Sequence, residues 1–271
     1  MKHKVLLFVC LMGMAVCVAA MWAPDLLSWT ETSSVQQVRK EKRKAKQQPQ
    51  KSTEVKIQQV EKVPPAQMLP EYQKLYEKNQ DIVGWLKIED TIIDYPVMQT
   101  KENEEYYLEY DFYGNKNVNG SLILDADSDA GTGTAKKEYR DGTHPTTNLI
   151  IHGHTMKSGQ MFGNLQRYRD EVYGKKHHII QFDSLYEHRT YELIAVFYSQ
   201  VYYKNDQVFK YYNFFQADTQ EEFQDWYRNI KKAALYDTQV TAEFGDEFIT
   251  LSCCSYHVDD GRFVVVGKRI S

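Results

Sequence analysis

The sequence predicts a mainly β fold, a closed β-barrel or sandwich carrying a few helical decorations, on three observations. Eight short segments rich in β-branched and aromatic residues follow one another between Trp85 and Lys268. Helical spacing is confined to three stretches of the same region. The last two apolar segments, Phe248–Cys254 and Arg262–Lys268, flank a polar turn ending in Asp259-Asp260-Gly261, which is the pattern of a hairpin.

The elements follow in chain order. Val5 to Ala23 is a run of nineteen uncharged residues behind Lys2, His3 and Lys4, close to the ~20 needed to cross a hydrocarbon core. Residues 1–29 are therefore expected to anchor the chain in a membrane as a single span. The basic residues before it set the amino terminus inside and the remainder outside, with Trp22 and Trp29 at the far interface. The rival is a signal peptide cleaved near Val18-Ala19-Ala20 or Ala23, but the run exceeds the usual signal core. Lipid attachment at Cys17 is disfavoured by the bulky Val16 before it.

Residues 30–66 are rich in Gln, Lys, Ser and Glu and hold no aromatic residue. Such composition buries too little apolar surface to offset chain ordering, so this stretch is expected to be a disordered tether. Its basic cluster, Arg39 to Lys46, reads as a solvated charge run.

Residues 67–271 are expected to form the folded domain. Tyr72, Leu75 and Tyr76 give Glu71–Asn79 helical spacing, and Gly84 breaks the pattern. Strands are predicted over Trp85–Ile88, Ile92–Tyr95 and Ser121–Leu124. The stretch Asp125–Thr147, with Gly131-Thr132-Gly133 and no apolar period, is a loop. A strand over Leu149–His152, a helix over Gly163–Tyr173 and strands over His178–Phe182 and Arg189–Ser199 follow. A third helix, Thr219–Leu235, opens on a capping residue and aligns Phe223, Trp226, Tyr227 and Ile230 on one stripe, ahead of the final two strands.

With 33 Lys+Arg against 37 Asp+Glu, a net charge of -4 argues against an obligate nucleic-acid binder. Residues 1–62 hold 11 Lys/Arg and 5 Asp/Glu, and residues 63–271 hold 22 and 32. Four cysteines, two in the apolar run and two adjacent at Cys253 and Cys254, cannot make a disulfide framework.

The chemistry concentrates at the end of the chain. Side chains alternate across a strand, so Ile249, Leu251 and Cys253 share an apolar face while Thr250, Ser252 and Cys254 share a polar one. Cys253 reads as a packed small hydrophobe and Cys254 as the accessible thiol. An antiparallel return brings Arg262 near Cys254, and a cation beside a thiol favours the thiolate and can stabilise an oxyanion. A proton donor is available in Ile150-Ile-His152-Gly-His154, where a histidine lands at a strand end. Parity does not separate His152 from His154. The same histidines with Cys254 and His257 present zinc-ligand types, but without a recognised zinc spacing.

Together these residues resemble the sortase family, and class B in particular, from about Pro70 to Ile270. The matching segments are Gly84-Trp85-Leu86, Ile93-Asp-Tyr-Pro-Val97, Asp111-Phe-Tyr-Gly114, Gly120-Ser-Leu-Ile-Leu-Asp125, Ile150-Ile-His-Gly-His-Thr-Met156 with Gly159-Gln-Met-Phe162, Thr250-Leu-Ser-Cys-Cys254 and Arg262-Phe-Val-Val-Val-Gly267. The resemblance implies an eight-stranded β-barrel, with Thr219–Leu235 as the extra class B helix. It also implies a cysteine transpeptidase with catalytic His154, Cys254 and Arg262, substrate-lining Ser252, and no metal or organic cofactor. The implied substrates are secreted proteins with a carboxyl-terminal sorting signal, of the Asn-Pro-x-Thr type common in class B, cut after Thr. The implied acceptor is an amine of the peptidoglycan stem or cross-bridge, or a pilin lysine.

The chain departs from the family pattern at His152, where Tyr is common, at Cys253, where Thr is usual, and in the length of the Asp125–Thr147 loop. Two other readings compete. An L,D-transpeptidase-like enzyme or cell-wall cysteine hydrolase would carry Arg close after Cys in a Gly-rich segment, which is absent. A non-catalytic envelope scaffold or adhesin would leave Cys254 inert.

Overall fold

A computed structural model describes residues 34–47, 67–100, 102–131 and 144–271. Its strands are β1 (Ile82–Lys87), β2 (Asp94–Met98), β3 (Leu122–Leu124), β4 (Asn148–Gly153), β5 (Ile179–Ser184), β6 (His188–Gln200), β7 (Phe248–Cys254) and β8 (Gly261–Arg269). They close into one barrel in the order β1-β2-β3-β4-β7-β8-β6-β5, which decides between barrel and sandwich. Two neighbouring pairs are parallel, β2 with β3 and β4 with β7, and the others are antiparallel.

The two faces of β7 and β8 account for the core. Inward residues Ile249, Leu251, Cys253, Phe263 and Val265 pack with Leu149, Ile151 and Phe162 inside the barrel. Outward residues Phe248, Val264 and Val266 meet the apolar stripe Phe223, Trp226 and Ile230 of a helix, α4 (Gln220–Ala233). Each such side chain contributes about 2 kcal/mol by leaving water. Thr219 caps α4 by accepting from the Glu222 amide, and Glu222 returns a carboxylate to the Thr219 amide, so the helix begins where the sequence predicts.

Four expectations need correction. Gly84 is not a breaker but part of β1, paired with Val97 and Ser184. A Cβ there would come within 2.6 Å of the Phe182 ring, so glycine is what lets β1 and β5 close the barrel. The second strand runs Asp94–Met98 in place of Ile92–Tyr95, through Pro96. The helix expected over Gly163–Tyr173 is a 3-10 segment, Gly163–Arg169, followed by a short helix α3, Glu171–Lys176. Asp170 divides them because its carboxylate accepts from the amides of Val172 and Tyr173 and so caps a new helix.

The fourth correction concerns the tether. Residues 34–46 are helical (α1) and packed on the barrel. Val35, Val38, Lys42 and Ala45 fall on one face by the three-to-four spacing of a helix, and Val38 is fully buried. Arg39 donates to the Asp94 carbonyl at 2.6 Å, and Lys42 lies over the Trp85 ring at 4.4 Å while bonding Asp183 at 3.3 Å. Charged stems cover apolar surface here while their heads find barrel partners. The other tether residues, 30–33 and 48–66, and the expected anchor 1–29 lie outside the described residues, as do 132–143 of the long loop. The ends of that loop are joined by an Ala130–Pro145 bridge.

Candidate active site

β4 and β7 run side by side with Gly153 in register with Cys253. His154 and Cys254, each the next residue, therefore leave the ladder together at one end of the barrel. β8 returns antiparallel and sets Arg262 directly opposite Cys254. Residues paired across a ladder share a face, so all three lie on the outer surface while Cys253 points into the core.

The two thiols differ as the alternation requires. Cys254 is half-buried at the strand end. Cys253 is 2% exposed, and burial pushes its thiol up to about 12 despite a Thr155 hydrogen bond and the nearby Arg262 charge. It stays protonated across the physiological range, and Cys254 is the more accessible of the two sulfurs.

The histidines are separated by their partners. His152 Nε2 lies 3.0 Å from the Asp125 carboxylate, on the β4 ladder. His154 Nε2 lies 2.8 Å from the Leu108 carbonyl. A carbonyl only accepts, so that nitrogen carries a proton and Nδ1 is left to exchange one. Arg262 Nη1 donates to the carbonyls of Asp260 at 3.2 Å and Gly261 at 3.0 Å. Neither contact neutralises its charge, which remains available to an anion.

Ser252 is the one sequence-predicted residue that is closed off. It is 1% exposed, and its hydroxyl lies 2.7 Å from the Tyr211 hydroxyl, in the segment between β6 and α4. The serine thus supports a tyrosine in this structure and does not face an open groove. Tyr211 belongs to the aromatic stretch Tyr202 to Tyr212, whose members divide: Tyr211 packs into the outer core beneath α4, whereas Tyr203 is 85% exposed.

Two supporting residues were not singled out in the sequence. Thr155 and Gln166 both donate to the Cys254 carbonyl, at 2.6 and 3.1 Å. They fix the backbone that carries the sulfur. Thr155 follows His154 directly, so a search for groups beside the histidine would have found it; Gln166 becomes a neighbour only through the 3-10 turn. Together with Met156, Arg167 and Tyr256 they border a cleft of about 420 Å³ beside Cys254.

The zinc-ligand types do not converge. His257 Nδ1 bonds Ser255 at 3.0 Å, and among the described residues no group of three or more His, Cys, Asp or Glu side chains is placed to hold a metal ion.

No family model matches the chain. Sortase B of Listeria monocytogenes is 32% identical over 204 residues, covering 74% of each chain. Sortase B of Staphylococcus aureus is 28% identical over 210 residues, covering 74% of this chain and 75% of the relative. Among solved structures, sortase B from B. anthracis in complex with AAEK1 aligns with a TM-score of 0.67 at 26% identity, over 91% of this chain and 99% of that one. The Staphylococcus aureus sortase B-substrate complex aligns at 0.69 and 23% identity over the same shares, a likeness of fold. These relatives favour a transpeptidase over the hydrolase and scaffold readings.

Proposed function

Since the chain belongs to the sortase B family of cysteine transpeptidases, we propose that Cys254, His154 and Arg262 carry its reaction. The observation that supports this most is the register that sets Arg262 opposite Cys254 and brings His154 out beside it.

His154 Nδ1 takes the Cys254 thiol proton, the thiolate attacks the carbonyl of a threonine in a carboxyl-terminal sorting signal, and Arg262 donates to the oxyanion that forms. Collapse of the tetrahedral intermediate breaks the C–N bond, and the departing amine takes a proton from His154. A thioester remains on Cys254. An incoming amine, from peptidoglycan or a pilin, then attacks that thioester, gives its proton to His154 and expels the thiolate. Each acyl transfer reuses the same three groups. Ser252 bears on substrate binding only indirectly, by holding Tyr211 beneath the outer wall beside Cys254.

The cell envelope is the site of action of this family. We place the amino-terminal apolar run in the membrane and the barrel outside it, so that exported substrates and wall amines meet the same face. Among the described residues no helix is long and apolar enough to cross a membrane, and Val5 to Ala23 lie outside them.

Incubation of the protein with a labelled Asn-Pro-x-Thr peptide, followed by mass spectrometry, tests the reading. An acyl adduct on Cys254 that is released by an added amine is expected. Absence of an adduct, or cleavage that ignores the sorting motif, would overturn it.

A further inference from the structure

A second cleft, of about 440 Å³, lies far from Cys254 between α1 and the barrel wall of β1, β5 and the start of β6. In barrel order β1 and β5 are on the side away from β4 and β7. Arg189 and His188 start β6, whereas Ser199, paired with Arg262, is near its end, so the cleft is also at the other end of the barrel.

Its lining is strongly basic. Arg39, Lys42, Arg43, Lys46, Lys87 and Arg189 contribute cations, against the carboxylates of Glu89, Asp94 and Asp183. Those carboxylates are already engaged. Asp94 is held by Arg39 and the Trp85 indole, Asp183 by Lys42, Tyr72 and His188, and Glu89 by Lys87. Nearby Glu187 is taken by Arg189 and Arg269, and Glu71 has His188 at 3.6 Å and Lys46 at 4.0 Å.

Positive charge is left over. Arg43 forms no ion pair among the described residues, and Lys46 reaches only the distant Glu71. Arg189 is 3% exposed, its Nε bonds Glu187 and its Nη2 the Ala130 carbonyl, and among the described residues its Nη1 has no hydrogen-bond partner. Six cations against three engaged carboxylates in the lining, with one buried guanidinium donor left open, make the cleft receptive to an anion even though the nearby Glu71 Oε1 is also without a hydrogen bond.

We propose that this cleft is a binding site for a phosphate group, carried by a lipid headgroup or by a small soluble phosphate ester. Arginine forks fit phosphate oxygens in pairs, and lysines supply point charges around them. Position favours the lipid source. Ten residues separate Ala23, the end of the apolar run, from the helical residue Ser34, a reach of at most about 35 Å. On the anchored reading, the cleft lies within reach of the bilayer surface, and a bound headgroup would hold the catalytic end of the barrel facing away from the membrane.

The test uses the full-length protein in phosphatidylcholine nanodiscs, titrated with glycerol phosphate while the Trp85 indole N–H resonance is followed by NMR. Saturable movement is expected. Arg43→Glu with Lys46→Glu, both on the exposed side of α1, is expected to weaken it tenfold or more, and Cys254→Ala is expected to leave it unchanged. In nanodiscs containing phosphatidylglycerol, a resonance already shifted and insensitive to the soluble ester assigns the site to the headgroup. An unaltered titration there assigns it to soluble phosphates. No saturable movement in either bilayer, equal movement with acetate, or equal affinity in the charge-reversed variant would overturn the proposal.

Discussion

The Tyr211 hydroxyl and the Ser252 hydroxyl lie 2.7 Å apart beneath the outer face of the barrel, two residues before Cys254. Burial pushes Tyr211 up to about 12, so both groups are neutral and each needs the other as partner. Ser252→Ala alone strands a buried phenol and is expected to cost about 1–3 kcal/mol. Tyr211→Phe alone strands the serine and costs a similar amount. The double variant removes both polar groups and is expected to recover part of the loss in chemical denaturation. Additive losses would show that the contact carries no coupling.

Among the described residues Arg262 bonds only the carbonyls of Asp260 and Gly261 and is half-exposed, so its replacement should cost little stability. Arg262→Lys keeps the charge but loses the planar fork. If the fork meets the oxyanion, kcat/KM for a sorting peptide falls by about 10²–10³ while Tm is unchanged. Steady-state kinetics beside a thermal melt checks this. A variant with near-normal turnover removes Arg262 from the reaction.

Much of this site was legible in the chain because it depends on local alternation. The parity of Phe248–Cys254 separates Cys253 from Cys254, and the hairpin turn puts Arg262 opposite, whatever the rest of the barrel does. The choice between His152 and His154 was not legible from parity, since it depends on Asp125 and Leu108, distant in sequence. Other misreadings have specific causes. Pro96 and Gly84 look like punctuation, but Pro96 sits opposite Trp85 within β2 and Gly84 makes room for Phe182. In residues 34–46 the apolar signal is only Val35, Val38 and Ala45 within a charge run, and the stem of Lys42 fills the missing position. Barrel closure through β1 with β5 and β6 with β8 joins remote segments, which no local pattern announces.

Cys253 provides a pH-dependent prediction. Its thiol rises from 9.0 to about 12 on folding, because burial disfavours the thiolate. Below pH 9 it is protonated in both states and adds no pH dependence. Between pH 9 and 12 the unfolded chain loses this proton and the folded one keeps it, so stability falls as pH rises. Cys253→Ala is expected to flatten that slope in urea midpoints measured from pH 8 to 10.5, at a cost of about 1 kcal/mol at pH 7. At pH 8, iodoacetamide is expected to label Cys254 but not Cys253 in the native protein, and both of these two thiols in urea. Native labelling at Cys253 would contradict its burial.

Lys42 tests whether α1 is part of the folded domain or a tether lying against it. Burial pulls the Lys42 ammonium below its usual value, even with Asp183 beside it. Asp183 is also desolvated, which pushes its carboxyl up, but Lys42, Tyr72 and His188 outweigh that and hold it below 3.8. An acid depressed on folding contributes stability above its unfolded value, and that stability is lost as pH falls through the folded one. Lys42→Met keeps the stem over Trp85 and Tyr72 but removes the charge, leaving Asp183 partly desolvated without its strongest partner. The loss is expected to reach about 2–3 kcal/mol at pH 7, somewhat below that for a fully buried pair because both side chains retain some exposure. The acid-unfolding midpoint should move to higher pH in the same variant. His188→Gln, which removes a more exposed partner of the same carboxylate, should produce a smaller shift in the same direction. If residues 34–46 were a solvated tether, Lys42→Met would leave both the urea midpoint and the acid transition where they are in the parent protein.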